Sequence, residues 1–320
     1  MLAIESHDGI STATCEGLLA MRKTLFQRSI LTLIPLVFPL LSLFFMLSCT
    51  QRPADETARS GKMTLAVDRQ LGDIADSQTK MFSSYYPDAH LTVTPVSSNK
   101  SIKLLLNRSV RAALIGGKPE ATEDSLFAIQ KPSLHREPVA RDAIVCIVNF
   151  RNPSRKISLE ELDALFTGSE KKGLTPLVTV DDFRLQSIFA SKMGKRRDDL
   201  KPWACSSDAE LIRRVSADNN AVGLLFNSSP ELTIETSKKN SRIRILSVSE
   251  KSGGTPPYLP TQQHIFDGRY PLVVTVYYVY YRGDALAAGF GAWLGSAGQK
   301  AFERSSLAPF KLVERKIFLN

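Results

Sequence analysis

From residue 63 onward short apolar runs alternate with amphipathic stretches, and no other feature limits the possible folds as much. Residues 63–67 read as a strand. Ile74, Met81, Phe82 and Tyr85 then share one face of a helix that Asp73 is placed to cap, and Tyr86-Pro-Asp88 stops it. Residues 91–95 are the next strand, Ser98 or Asn99 opens a helix carrying Ile102, Leu105 and Leu106, and Ala112–Gly116 is a third strand. Strand, helix, strand, helix, strand with short connections calls for a parallel sheet with right-handed crossovers, hence an α/β fold.

A second unit begins after a strand at 143–149. Ser158-Leu-Glu-Glu161 is a capping box, Leu159, Leu162 and Phe166 share a helix face, and Gly168 ends that helix. A strand over 174–180 follows, interrupted by Pro176. Ser207-Asp-Ala-Glu210 starts a helix bearing Leu211, Ile212 and Val215, Ala221–Phe226 is a buried strand, and 242–248 is another. The last part holds a β-rich run over 271–281, whose alternation places Tyr277, Tyr278, Tyr280 and Tyr281 mostly in the core. Helices follow around 290–294 and 296–302, with Ser296 and Gln299 forming a third capping box.

The chain has 320 residues, enough for two lobes with cores of their own. With 43% hydrophobic and 23% charged residues it is neither disordered nor a polytopic membrane protein. The four cysteines form no CxxC pair, and His7, His90, His135 and His264 lie far apart. Nothing here asks for a metal or another cofactor. The net charge is +9, and residues 1–48 carry three acids and three bases, so the whole excess belongs to the remainder. A basic protein attracts anions. The bases are scattered, and the longest cluster is Lys195-Arg196-Arg197, so no nucleic-acid stripe is expected.

The N-terminus reads as an address. A basic start, Met21-Arg-Lys-Thr-Leu-Phe-Gln-Arg28, precedes an apolar run over 30–47 and then Ser48-Cys49. This is the pattern of a bacterial lipoprotein signal over 21–48, in which Cys49 takes the lipid and holds the protein on a membrane, in the periplasm or at the cell surface. The competing reading is an uncleaved anchor or a plain signal peptide, although Pro35 and Pro39 interrupt the run. Residues 1–20 are an upstream extension, with Met21 the expected start, and 49–61 are a polar tether. In an oxidising compartment Cys146 and Cys205 are free to pair, but Cys146 sits in a strand that reads as buried, which favours a packed thiol.

Three loops follow consecutive strands and therefore face one rim: Asp68-Arg69, Ser97-Ser-Asn99 and Gly116-Gly-Lys118. Backbone N–H groups and the Lys118 ammonium there suit an anion, or Gly116-Gly-Lys118 is a plain turn. Asp181 and Asp182 at the end of the 174–180 strand are either a helix cap or an acid–base pair. Ser252-Gly-Gly-Thr255 is a flexible turn.

Several segments resemble the phosphate-type substrate-binding proteins of bacterial ABC transporters. They are Phe82-Ser-Ser-Tyr-Tyr-Pro-Asp88, Val139-Ala-Arg-Asp-Ala-Ile-Val-Cys-Ile-Val-Asn149, Asn152-Pro153, Ile157-Ser-Leu-Glu-Glu-Leu162 and Leu165-Phe-Thr-Gly168. Asn220-Ala-Val-Gly223, Tyr270-Pro-Leu272, Phe290, Trp293-Leu294 and Ser296-Ala-Gly-Gln299 continue the series in the family's order, as a divergent lipoprotein branch.

The resemblance implies a type-two periplasmic-binding-protein-like fold of two α/β lobes joined by two hinge strands. Lobe one would be 62–142 plus 270–320 and lobe two 143–269, with hinges near Arg141-Asp142 and Tyr270-Pro271. It further implies a monomer, with no enzyme activity, that closes on a small anion, phosphate first, for an ABC permease. The expected ligand residues are Asp68, Ser97, Ser98, Gly117, Lys118, Arg184 and Ser187. Two departures bear on the ligand. Lys118 stands where the family carries an acid, and Asp181, Asp182, Arg184 and Ser187 stand where it carries an arginine and Ser-Gly-Thr. Two other functions remain open: a sensor or interaction module with the same fold, and a metal-dependent hydrolase using Asp181 or Asp182.

Overall fold

A computed structural model describes residues 56–169 and 173–312. The leader and residues 49–55 of the tether, Cys49 included, lie outside the described residues, whereas its last part is structured rather than a tether, with a Thr57–Ser60 bridge and the first strand starting at Gly61. The first strands and helices are β1 (Gly61–Asp68), α1 (Gly72–Tyr85), β2 (Ala89–Val96), α2 (Ser98–Leu106), β3 (Ala112–Gly116) and α3 (Ala121–Ala128). Next come β4 (Leu134–Asn149), β5 (Lys156–Ser158), α4 (Leu159–Thr167), β6 (Thr175–Thr179), α5 (Phe183–Lys192), β7 (Trp203–Cys205) and α6 (Asp208–Ala217). They are followed by β8 (Ala221–Phe226), α7 (Pro230–Thr236), β9 (Ile243–Ile245), β10 (Ser247–Ser249) and α8 (Gln262–Phe266). The last are β11 (Val273–Tyr281), α9 (Ala285–Leu294), α10 (Gln299–Phe302) and β12 (Ala308–Pro309).

The main sheet runs β2-β1-β3-β11-β4-β8-β6-β7, with β9 and β12 also on β4, while β5 and β10 pair separately. Strand β1 is parallel to both β2 and β3, as right-handed crossovers through α1 and α2 require. Strand β11 runs antiparallel between β3 and β4. The sixteen residues of β4 serve two neighbourhoods in turn: 134–143 pair with β11, and 144–149 pair with β8 and β9. The fold is therefore mixed α/β with a large central sheet.

Local sequence explains most elements. Ser158 and Glu161 close the capping box of α4, and Gly168 takes the left-handed conformation that ends it (φ 76°). Residues Ala143–Val148 are all buried, which is why they read as a central strand. Cys146 and Cys205 are free, buried thiols, and burial pushes Cys146 up to about 12.

Four local expectations need correction. Helix α1 is not capped by Asp73, which lies in its first turn, and its buried face carries Ala75, Gln78, Thr79 and Phe82 while Tyr85 is exposed. Gln78 tolerates burial because its amide donates to the Gly298 carbonyl and accepts from Trp293 Nε1. Strand β4 begins nine residues before the apolar run. Pro138, which has no N–H, sits at the register shift opposite Tyr277, so polar residues and a proline hide that half of the strand. The 242–248 segment is two strands, because the chain changes partner at buried Leu246. Ser296 caps nothing; its hydroxyl donates to Ala292 O. Buried Gln299 instead donates to Val139 O and accepts from the N–H groups of Phe310 and Lys311. Helix α3, with its Glu120/Glu123 capping box, is an addition to the expected set.

Asp142 lies in β4 beside the change of partners and is fully buried. It accepts from Ala143 N (2.7 Å) and Ser228 Oγ (2.5 Å), yet burial still pushes its carboxyl from 3.8 up to about 7. The folded state thus holds this proton more tightly than the unfolded chain. Its contribution to stability is complete below the unfolded value and is lost as pH rises through about 7, a difference on the order of 4 kcal/mol. Asp142→Asn cannot ionise, so its melting temperature should fall less than the parent's between about pH 5 and pH 8. Equal falls in parallel thermal melts would clear Asp142 of the effect.

Candidate functional site

Asp68 ends β1, Ser97 and Ser98 follow β2, and Gly116, Gly117 and Lys118 follow β3. Asp68 is fully buried. It accepts from Ser101 Oγ (2.5 Å) at one oxygen and from the Gly116 N–H (2.8 Å) at the other. Its charge is met by Arg184 from the first turn of α5. Arg184 Nη1 donates to Asp68 Oδ2 (2.8 Å), Nη2 donates to the Ser98 carbonyl (2.7 Å), and Nη2 lies 3.6 Å from Glu123 Oε1. The Arg184 side chain is 2% exposed, and its Nε has no partner. Burial pushes Glu123 upward while Arg184 pulls it down. The guanidinium therefore joins the second half of the sheet to the end of β1, the start of α2 and the first turn of α3.

Beside this ion pair lies a cavity of about 50 Å³. Arg69, Gln70, Ser97 and Ser98 line it on one side and Thr179, Asp181, Asp182, Ser207, Asp208 and Glu231 on the other. Two buried polar atoms among its lining residues, Gln70 Nε2 and Ser98 Oγ, have no hydrogen-bond partner. The N-terminus of α2 lacks a side-chain cap, so its first N–H groups are not satisfied from within the helix. The opposite wall is acidic. Asp182 caps α5 by accepting from Leu185 N (3.3 Å), and burial, reinforced by the charge of Asp208, pushes it up to about 7. Asp208 accepts from Thr179 Oγ1 and Ser229 Oγ (both 2.7 Å), and burial raises it against those bonds. Asp182, which holds its proton up to about pH 7, can donate a hydrogen bond where an ionised carboxylate would repel an anion.

Six of the seven expected ligand residues fall into two groups, and the seventh, Asp68, belongs to neither. Ser97 and Ser98 line the cavity. Gly117, Lys118, Arg184 and Ser187 line a different, open basin. Asp68 is buried against Arg184. The Gly117 N–H donates to Thr275 O, and Ser187 Oγ donates to Glu120 Oε1 (2.6 Å), so both already have partners. Lys118 is exposed. Among the described residues no group of three or more His, Cys, Asp or Glu is placed to hold a metal ion.

Sequence reasoning missed Gln70, Ser101, Glu123 and Asp208. Ser101 and Glu123 carried a signal, since Ser101 lies one turn after Ser98 and Glu123 completes a capping box. Asp208 was visible only as part of the Ser207 box, and nothing local marks Gln70 as a donor to a cavity.

A family model described as a PBP superfamily domain matches residues 52–297. A search among curated proteins finds no match. Among solved structures, a phosphate-bound substrate-binding protein from Clostridium perfringens, assigned to phosphate ABC transport, is similar at 15% identity and a TM-score of 0.64. The match covers 78% of this chain and 100% of that one. An ABC-type phosphate transport receptor from Vibrio cholerae is similar at 17% identity and a TM-score of 0.60, covering 78% and 100%. PstS from Borrelia burgdorferi is similar at 16% identity and a TM-score of 0.55, covering 79% and 100%.

Proposed function

Because this chain belongs to the PBP superfamily, we propose that it captures a small oxyanion, phosphate first, outside the cytoplasm and passes it to an ABC permease. In this reading a lipid on Cys49 holds the protein at a membrane, the two lobes divide at 142/143 and 269/270, and no bond of the ligand is broken. The observation that carries it is the pair of buried donors without partners, Gln70 Nε2 and Ser98 Oγ, among the lining of one small cavity at the uncapped start of α2. Leaving such groups unsatisfied costs about 1–3 kcal/mol each, and an oxyanion satisfies both. Arg69 on the same wall adds charge. Phosphate-binding neighbours of the same fold support the choice of ligand.

The acidic wall makes capture dependent on pH. The neutral form of Asp182 donates to the anion and the ionised form repels it, so affinity is greatest below the Asp182 value of about 7 and falls as pH rises through it. Sulfate, which does not titrate in this range, isolates the protein's own proton. Calorimetry with the full chain should show tighter phosphate and sulfate binding near pH 6 than near pH 8. Asp182→Asn should flatten the sulfate profile, and Ser98→Ala should weaken both anions roughly tenfold. No heat with either anion near pH 6 would end this reading.

The Arg184–Asp68 pair favours a second reading. A charge able to hold an anion is already neutralised inside the protein, as suits a sensor or interaction module that keeps the fold without transport. Such a protein would give no anion heat at any pH while melting as a stable fold.

A further inference from the structure

The open basin shares no lining residue with the small cavity. It measures about 710 Å³ and is lined by Lys118 and Glu120 from the segment after β3, by Arg184, Ser187, Ile188 and Lys192 of α5, by Lys195, Arg196 and Arg197 beyond α5, and by Val273, Val274 and Tyr277 of β11. We propose that this basin is a second ligand site, for an organic molecule carrying two or more phosphate groups.

Charge points to a polyanion. Six cations line the basin, of which Arg184 is already paired with buried Asp68, against one acid among its lining residues, Glu120. That acid accepts from Ser187 Oγ and lies 3.5 Å from Arg197 Nη1, so it is already engaged. Lys195 reaches Asp163 at 3.8 Å, Arg196 reaches Asp199 at 3.3 Å, and Arg197 reaches Asp198 at 3.8 Å, all of them partly or fully exposed pairs that water weakens. Lys118 and Lys192 are exposed and have no carboxylate partner among the described residues. Arg184 contributes a buried Nε without a partner. Cations supplied from two separate segments suit a ligand whose charge is spread over more than one group.

Size and chemistry point to an organic one. The volume lies within the range of small-molecule sites and is many times that of the cavity beside Ser98. Ile188, Val273, Val274 and the Tyr277 ring supply apolar surface for a carbon skeleton, which bare phosphate would leave uncovered. A nucleoside diphosphate has this combination of bulk and charge.

Adenosine 5′-diphosphate titrated into the full chain at low salt is the direct test, with inorganic phosphate saturating in a parallel run. Binding in the micromolar range is expected, surviving excess phosphate and weakening as salt is raised. The surface variant Lys118→Ala/Lys192→Ala should lose on the order of tenfold or more in affinity, whereas Ser98→Ala should leave the diphosphate unaffected. Absence of heat at millimolar diphosphate in low salt would overturn the proposal. So would affinity that the lysine pair does not alter, or full displacement by inorganic phosphate. None of these results bears on phosphate capture in the cavity, which is read from phosphate and sulfate alone.

Discussion

Arg184→Ala should destabilise the protein by about 3–5 kcal/mol, the cost of leaving a buried charge without its partner. Asp68 would keep the Ser101 hydroxyl and the Gly116 N–H but lose its cation in a fully buried setting. The Ser98 carbonyl would lose a donor and Glu123 the charge that draws it down. In a chain of this length the loss corresponds to a melting temperature lower by roughly 6–15 °C. Replacing both partners, Arg184→Met with Asp68→Asn, removes both charges and should cost much less than Arg184→Ala alone. Thermal and urea unfolding of the parent and the two variants decide the matter. A single variant as stable as the parent would show that the ion pair does not join the two halves of the sheet.

The next largest effect is expected at Gly117. Its φ of 101° is a conformation that side chains avoid, and a Cβ there would lie 2.2 Å from Ile188 Cδ1 and 3.2 Å from Cγ1. Helix α5 thus approaches the turn after β3 closely enough that only glycine fits. Gly117→Ala should cost about 1–2 kcal/mol for the backbone and about 1–3 kcal/mol for the overlap. Trimming Ile188 to alanine in the same chain should recover the second part and leave the first, a coupling that a double-mutant cycle measures. Additive effects would mean that the two residues do not meet, and a neutral Gly117→Ala would remove the close approach altogether.

Legibility followed the range of the interactions. The parallel β1–β3 unit, the Ser158 box and the Gly168 stop depend on residues within a turn or two of each other, and they were read at the right places. The first half of β4 was hidden because its partner, β11, lies more than a hundred residues away and lets a proline sit at a bulge. At the site, the three loops that share a rim were predictable from strand order alone. What those loops hold was not. Gly117 and Ser187, expected to face a ligand, spend their hydrogen bonds on Thr275 and Glu120, and the expected ligand cation Arg184 is tied to Asp68.

The amino-acid order alone therefore determined the alternation, the parallel pairing and the sheet edge that the three loops share, since periodicity and capping are local and crossover handedness follows from them. Only the tertiary structure decided that one arginine would lie buried among three acceptors, that two residues lining a cavity would each keep a buried polar atom without a partner, and that basic residues from separate segments would line a second basin. Those outcomes depend on which side chains are brought together and on how far water is excluded. Neither the partner nor the loss of solvent is written in a residue's own neighbourhood.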